Sequence, residues 1–182
     1  AVRNLPVFIG HGVANPVVTA EHLDVAVSYE GFEAIGSGMG AVGFIVHDDT
    51  ACMVDAAYRL SRFLSVESCG QCPPCKIGSG EITAHLERIE TGAGEDADVA
   101  AIHGWLERVT DGNRCYLAVE ERLLVSSVLR AFPDEFAEHL ERHACPRPGR
   151  RPIPKLLDLV DGEATYDERF WSKRPDWTYG AD

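Results

Sequence analysis

Cys69, Cys72 and Cys75 stand with two residues between successive members in the run Glu67-Ser68-Cys69-Gly70-Gln71-Cys72-Pro73-Pro74-Cys75-Lys76, and Cys115 follows after a gap long enough for two helices. Thiolates at this spacing suit three corners of a [4Fe–4S] cube, because Gly70 and the Pro73-Pro74 pair bend the backbone between ligands, and a remote fourth sulfur closes the site. The chemistry such a group supplies is electron transfer. A four-cysteine zinc site is the main rival, but it usually gathers its ligands as two separated pairs around a tetrahedron. A thioredoxin-like dithiol at Cys69-Gly70-Gln71-Cys72 would need an adjoining βαβ pattern that the flanking residues lack. Disulfides explain less, since the thiols are too crowded to act as separate staples.

Other residues capable of chemistry have plainer readings. Cys52 lies in a helical pattern and reads as a small buried hydrophobe, and Cys145 sits beside Pro146 in an irregular segment, so neither is expected to ligate. His11, His47, His103 and the other histidines share no spacing with the cysteines, and no histidine ligand is expected. Lys76 and Arg114 each adjoin a cysteine of the set. Both read equally as cations that favour the reduced state of a cluster and as solvated surface charges. Asp48, Asp49, Glu120 and Glu121 fall at helix starts, where the helix dipole accounts for them without catalysis.

The elements that must position the cysteines follow from periodicity. Residues 1–49 read as short strands, Leu5 to Ile9 and Gly43 to His47, separated by Gly10, Gly12, Gly36, Gly38 and Gly40, as in part of a β-grasp unit. Gly36-Ser37-Gly38-Met39-Gly40 leads into a strand rather than opening a helix, so it reads as a tight turn and not a phosphate-binding loop. Asp48-Asp49-Thr50 supplies N-cap candidates for a helix over about 50–65, with Val54, Ala57, Leu60, Phe63 and Leu64 on one face. A second helix starts near Pro74 with Ile77, Ile82, Leu86 and Ile89 as its apolar set and ends at Thr91-Gly92. Its first turn could aim free backbone N–H groups at the sulfurs. A third carries Val99, Ile102, Leu106 and Val109 and stops at Asp111-Gly112-Asn113. A fourth spans about 116–131, and Pro133 opens a short fifth piece.

The expected fold is therefore α+β, mainly α, in three parts. A partial β-grasp-like segment (1–49) precedes a four-helix iron–sulfur bundle (50–142) with its ligands at one end, and an irregular proline- and aromatic-rich tail (143–182) follows. The tail's Tyr166, Phe170, Trp171, Trp177 and Tyr179 are expected to anchor an extended arm either on a partner or on the bundle. A net charge of -12 opposes binding to nucleic acid or anionic lipid and favours docking to basic protein surfaces. No apolar run is long enough to span a bilayer, and Ala1 to Gly12 carry no leader pattern. No membrane insertion is expected, and the expected location is cytoplasmic, the periphery of a membrane complex included.

The motif Glu67-Ser68-Cys69-Gly70-Gln71-Cys72-Pro73-Pro74-Cys75-Lys76-Ile77-Gly78 resembles the NADH-binding flavoprotein subunit of respiratory complex I and its diaphorase relatives in NAD-linked hydrogenases and formate dehydrogenases. Upstream, Gly36 to Val46 and Cys52-Met53-Val54 resemble the end of that family's SLBB domain and the helix that follows it. Downstream, Cys115 matches the fourth cluster ligand, and Phe132-Pro133-Asp134-Glu135-Phe136 resembles the closing helix pair. The resemblance covers about residues 6–142. It implies one [4Fe–4S] cluster on Cys69, Cys72, Cys75 and Cys115, taking electrons singly from an FMN that NADH reduces. The FMN and NADH domain has no counterpart in this sequence, Lys76 replaces the usual arginine, and Tyr116-Leu117-Ala118 replaces a Leu-Gly-Asp-type turn. FMN and NADH are therefore expected only through a missing domain or a partner subunit, and the chain is not expected to oxidise NADH alone. The expectation is an electron-relay subunit or fragment of an NADH dehydrogenase-like complex, with flavoprotein or iron–sulfur partners. The alternative is a non-catalytic binding module in which a cluster or zinc ion is a structural staple.

Overall fold

The structure, a computed structural model, describes residues 7–9, 15–40, 43–147 and 156–179. Leu5, Gly10, His11 and Gly12, singled out above, lie outside the described residues, as do Pro148, Pro152 and Pro154 of the tail. Two short strands, β1 (Val7–Ile9) and β2 (Phe44–Val46), pair antiparallel with Phe8 opposite Ile45. Between them Ser28 caps α1 (Tyr29–Ala34) by accepting from the Gly31 N–H, and Val18, Phe32 and Met39 form a small apolar cluster. This segment is tied to the helices by the Val17 N–H, which donates to Ser127 Oγ at 2.9 Å.

Five further helices carry the main core: α2 (Met53–Glu67), α3 (Pro73–Glu90), α4 (Asp96–Arg108), α5 (Leu117–Ala131) and α6 (Pro133–Arg142). The apolar faces read from the sequence are the ones that pack. Leu60, Leu64, Ile82, Leu86, Ile89, Ile102, Leu124 and Val128 are all essentially inaccessible in one cluster, with α2 against α3 and α5, and α3 against α4. Ile77 differs from expectation: it is 52% exposed, and Gly78 and Ser79 occupy the buried positions of that turn. The start of α2 differs as well. Asp48 Oδ1 accepts from the Thr50 N–H within a local turn, and the N-cap is Cys52, whose Sγ accepts from the Asp55 N–H at 3.3 Å.

The tail is not wholly irregular. β3 (Leu156–Val160) and β4 (Glu163–Tyr166) form an antiparallel hairpin. Asp161 and Gly162 both have positive φ, 52° and 85°, the backbone that a two-residue type I′ turn requires and that an Asp-Gly pair supplies. Beyond the hairpin, the tail folds back on the helices. Phe170 is buried against Phe63, with ring centroids 5.9 Å apart. Arg62 donates to the carbonyls of Phe170 and Lys173, and Lys173 Nζ lies 2.8 Å from Glu67 Oε1. Of the two roles expected for the aromatics, packing on the chain's own helices describes this segment.

One buried acid constrains the helical core. Glu121 on α5 is fully inaccessible, with Oε1 2.6 Å from Ser61 Oγ, while Oε2 meets no partner. Ser61 in turn lies 2.8 Å from Thr83 Oγ1, whose hydroxyl donates to the Ser79 carbonyl. Burial pushes the Glu121 carboxyl up to about 8, against a smaller pull downward from Ser61. The folded chain thus keeps a proton that the unfolded chain releases above the ordinary value of 4.5. Stability is full below that value and is lost as pH rises through about 8. Thermal melts from about pH 5 to about pH 8 should show the wild-type midpoint falling and a Glu121→Gln variant nearly flat; parallel slopes would contradict a neutral Glu121.

Candidate metal centre

Antiparallel packing brings the C-terminal end of α2, the N-terminal end of α3 and the N-terminal end of α5 to one side of the helical unit. Cys69, Cys72, Cys75 and Cys115 line a single pocket there, with Ser68 and Asn113 at its polar edge and Leu117 and Ala118 from α5 as its apolar wall. Each sulfur is placed by a local feature. Cys69 follows Ser68, the C-cap of α2, and is exposed. Cys72 is the N-cap of α3, and Cys75, in the first turn of that helix, is buried. Cys115 precedes α5, its carbonyl accepting from Asn113 Nδ2 at 2.8 Å. Gly70 has φ +69°, the left-handed conformation that turns the chain between the first two cysteines.

A short hydrogen-bonded relay supports the buried sulfur. The Gly70 N–H donates to Ser68 Oγ at 3.3 Å, and Ser68 Oγ lies 3.5 Å from Cys75 Sγ. Burial pushes the Cys75 thiol up, the Ser68 hydroxyl pulls it down, and the neighbouring Cys115, Cys72 and Cys69 sulfurs push it up again. Four thiolates at this separation repel one another, so a cationic centre is needed to hold them ionised together. The donor set is all sulfur, which fits an iron–sulfur cluster or a soft metal and excludes hard cations such as magnesium or calcium.

The first turn of α3 differs from what the sequence suggested. Pro73 and Pro74 occupy its first two positions and carry no N–H, and the Lys76 N–H is already bonded to the Cys72 carbonyl at 2.8 Å. Few free donors remain there, so the local field on the sulfurs comes from the Ser68 relay and the helix dipole. Lys76 does not simply extend into solvent: its Nζ sits 5.3 Å from the ring centroid of Trp177. Trp177 packs on the cysteine loop so closely that a Cβ on Gly70 would lie 2.6 Å from its ring. The tail's contribution to this site has no periodic or motif signal, and sequence reasoning missed it. It also missed a second grouping, in which Cys52 and His139 are neighbours rather than isolated packing residues, with Cys52 Sγ 3.3 Å from His139 Nε2.

A helical protein with four cysteines gathered in one pocket at the end of its bundle is the class that these observations define. Comparison with known proteins agrees: residues 55–139 match the family described as the NADH-ubiquinone oxidoreductase-F iron-sulfur binding region, and the chain carries that region. Over 135 residues it is 36% identical to the F subunit of the NADH-quinone oxidoreductase of Mycobacterium bovis, covering 74% of this chain and 30% of the relative. It is 34% identical over 135 residues to the F subunit of the NADH-quinone oxidoreductase of Streptomyces coelicolor, covering 74% and 30%. It is also 33% identical over 135 residues to the HndC subunit of the NADP-reducing hydrogenase of Solidesulfovibrio fructosivorans, covering 74% and 28%. The chain thus spans less than a third of the length of these relatives. The fold matches an NAD+-reducing [NiFe]-hydrogenase in the H2-reduced state with a TM-score of 0.61 at 21% identity, over 79% of this chain and 23% of that one.

The close approach at Gly70 gives a direct test of the loop geometry. Gly70→Ala must both hold a positive φ and displace Trp177, and it should cost about 1–3 kcal/mol in denaturant unfolding. A neutral substitution would contradict the placement of Trp177 over the loop.

Proposed function

We propose that Cys69, Cys72, Cys75 and Cys115 hold one [4Fe–4S] cluster, and that the chain is the electron-relay part of an NADH dehydrogenase- or diaphorase-type oxidoreductase. The observation that carries this reading is the convergence of the four sulfurs in one pocket inside the matched iron–sulfur binding region. When bound, such a cluster supplies single-electron transfer without proton chemistry.

The chain's own residues hold and tune the site. The Ser68 hydroxyl stabilises negative charge on Cys75 Sγ. Leu117 and Ala118 give the pocket an apolar wall. Lys76 and Trp177 cover the loop between Cys69 and Cys72, so the tail limits solvent at that edge. In this reading residues 50–142 are the cluster-bearing helical bundle, and residues 1–49, with β1, α1 and β2, are the end of an SLBB-type domain. Residues 143–182 form a separate tail that braces the cluster end. FMN and NADH are handled by a flavin-binding domain or a partner protein, because the chain corresponds to only 30% of its relative from Mycobacterium bovis. Redox partners dock on the side of the pocket where Cys69 and Cys115 are exposed. No described helix is long and apolar enough to cross a membrane, which fits a peripheral position in such a complex.

Anaerobically purified chain should contain about four iron atoms and about four acid-labile sulfides. Cys115→Ser should lower both and bleach the visible absorption of the cluster. Full iron and sulfide retention in Cys115→Ser, or a wild-type chain with zinc in place of iron, would overturn this assignment.

A further inference from the structure

A second set of metal-ligating side chains converges at the opposite end of the helices. Cys52 at the start of α2, Glu90 at the end of α3, His139 on α6 and Cys145 beyond α6 each present one donor atom, and all four atoms lie within 4.8 Å of one another. Since α2 has 15 residues, about 22 Å of helix separates this group from the pocket that contains Cys69. We propose that Cys52, Glu90, His139 and Cys145 form a structural site for a zinc-class divalent cation, independent of the four-cysteine centre.

The separations suit one shared ion. His139 Nε2 is 3.1 Å from Glu90 Oε2 and 3.3 Å from Cys52 Sγ, and Cys52 Sγ is 3.5 Å from Glu90 Oε2. Tetrahedral zinc with bonds of about 2.0–2.3 Å has ligand–ligand edges of about 3.3–3.8 Å, so shifts of a few tenths of an ångström would accommodate it among Cys52, Glu90 and His139, and Cys145 closes in from within 4.8 Å. The imidazole is oriented for this role. His139 Nδ1 lies 2.6 Å from the Glu135 carbonyl, which can only accept, so Nδ1 carries a proton. Histidine ligands to metals typically donate their other ring N–H in this way, which leaves Nε2 free to coordinate. Without a cation, Nε2 of the neutral ring faces a carboxylate oxygen that cannot donate to it, and the Cys52 S–H is its one weak donor there. A second ring proton could bridge to one of them, whereas a metal ion satisfies both and also engages Cys145.

The surroundings are built in the same sense. Burial pushes the Cys52 and Cys145 thiols up, and against it Cys52 Sγ accepts the Asp55 N–H at the start of α2 while the Cys145 sulfur accepts the Arg147 N–H. Arg147 Nη2 reaches Glu135 Oε1 at 3.3 Å, and Glu135 Oε2 accepts the Met53 N–H at 2.8 Å, so the residue that orients His139 also anchors α2. Gly92, with φ +82°, lets the His143 carbonyl cross the end of α3 where any Cβ would collide, and this crossing delivers Cys145 to Glu90. The matched family region, residues 55–139, leaves out both sulfurs of this set. Filling the site displaces the two thiol protons to solvent and links α2, α3, α6 and the segment after α6 through one ion.

The test uses the full chain, prepared anaerobically with its iron and then supplied with zinc sulfate, followed by metal analysis and zinc K-edge absorption spectroscopy. About one zinc per chain, with a shell of two sulfurs and two nitrogen or oxygen atoms, is expected. Cys145→Ala should keep its iron and lose more than about tenfold in zinc affinity, since a direct ligand matters at least as much as an outer-shell partner. Should that variant unfold, Glu90→Gln offers a milder change, and zinc should raise the wild-type melting midpoint but not that of Glu90→Gln. Zinc affinity equal in wild type and variants, or no zinc in a chain with full iron, overturns this site alone. A shell of four sulfurs would place the zinc on Cys69, Cys72, Cys75 and Cys115, and would overturn this site and the cluster assignment together.

Discussion

α2 and α3 run antiparallel with Leu60, Leu64, Ile82 and Leu86 inaccessible between them and their neighbours, and the position of every sulfur follows from that packing. The end of α2 and the start of α3 must meet at one edge, which puts Cys69, Cys72 and Cys75 within a single turn of backbone. α5 packs on α2 and starts at the same edge, which brings Cys115 to them. The loss of one fully buried leucine in this layer would cost about 2–5 kcal/mol, enough to loosen the pocket that the same layer aligns.

Four thiolates in one pocket are mutually repulsive, and the protein does little to relieve this with its own charges. Pro73 and Pro74 remove two of the N–H donors that a helix start would normally offer. Ser68 supplies one hydrogen bond, and the Lys76 ammonium lies over the Trp177 ring. In the proposed reading, the helical frame is organised around the cluster that these four sulfurs hold. The opposite end has the same logic with a different donor set, where imidazole, carboxylate and two sulfurs meet. A frame held by a centre at each end would keep α2 and α3 in register from Cys52 to Cys75, and a redox-inert ion at the far end would brace it without joining the electron path.

Much of this was legible in the sequence because it is local. Three- and four-residue spacing located the helices, Pro133 and the Pro73-Pro74 pair marked helix starts, and the cysteine run announced its own site. Where the reading failed, the cause was distance along the chain or an overlooked turn. Asp161-Gly162 between short apolar runs was a hairpin signal in plain view. Cys52 and His139 are separated by 87 residues, so their contact exists only through the crossing of α2, α3 and α6. Ile77 fits an apolar stripe by spacing, yet Gly78 and Ser79 let α4 approach more closely on the neighbouring face, and Ile77 is left outside. Trp177 reaches Gly70 only because Phe170 and Lys173 first fix the tail to α2.

The measurement that bears most directly on the redox role is an EPR-monitored potentiometric titration of the anaerobically purified chain. A reversible signal from a one-electron couple, lost in Cys75→Ser while the helical content is retained, is expected. A chain that stays EPR-silent across the accessible range of potential, with one tetrahedral ion bound by Cys69, Cys72, Cys75 and Cys115, would contradict electron transfer and leave those sulfurs a purely structural task.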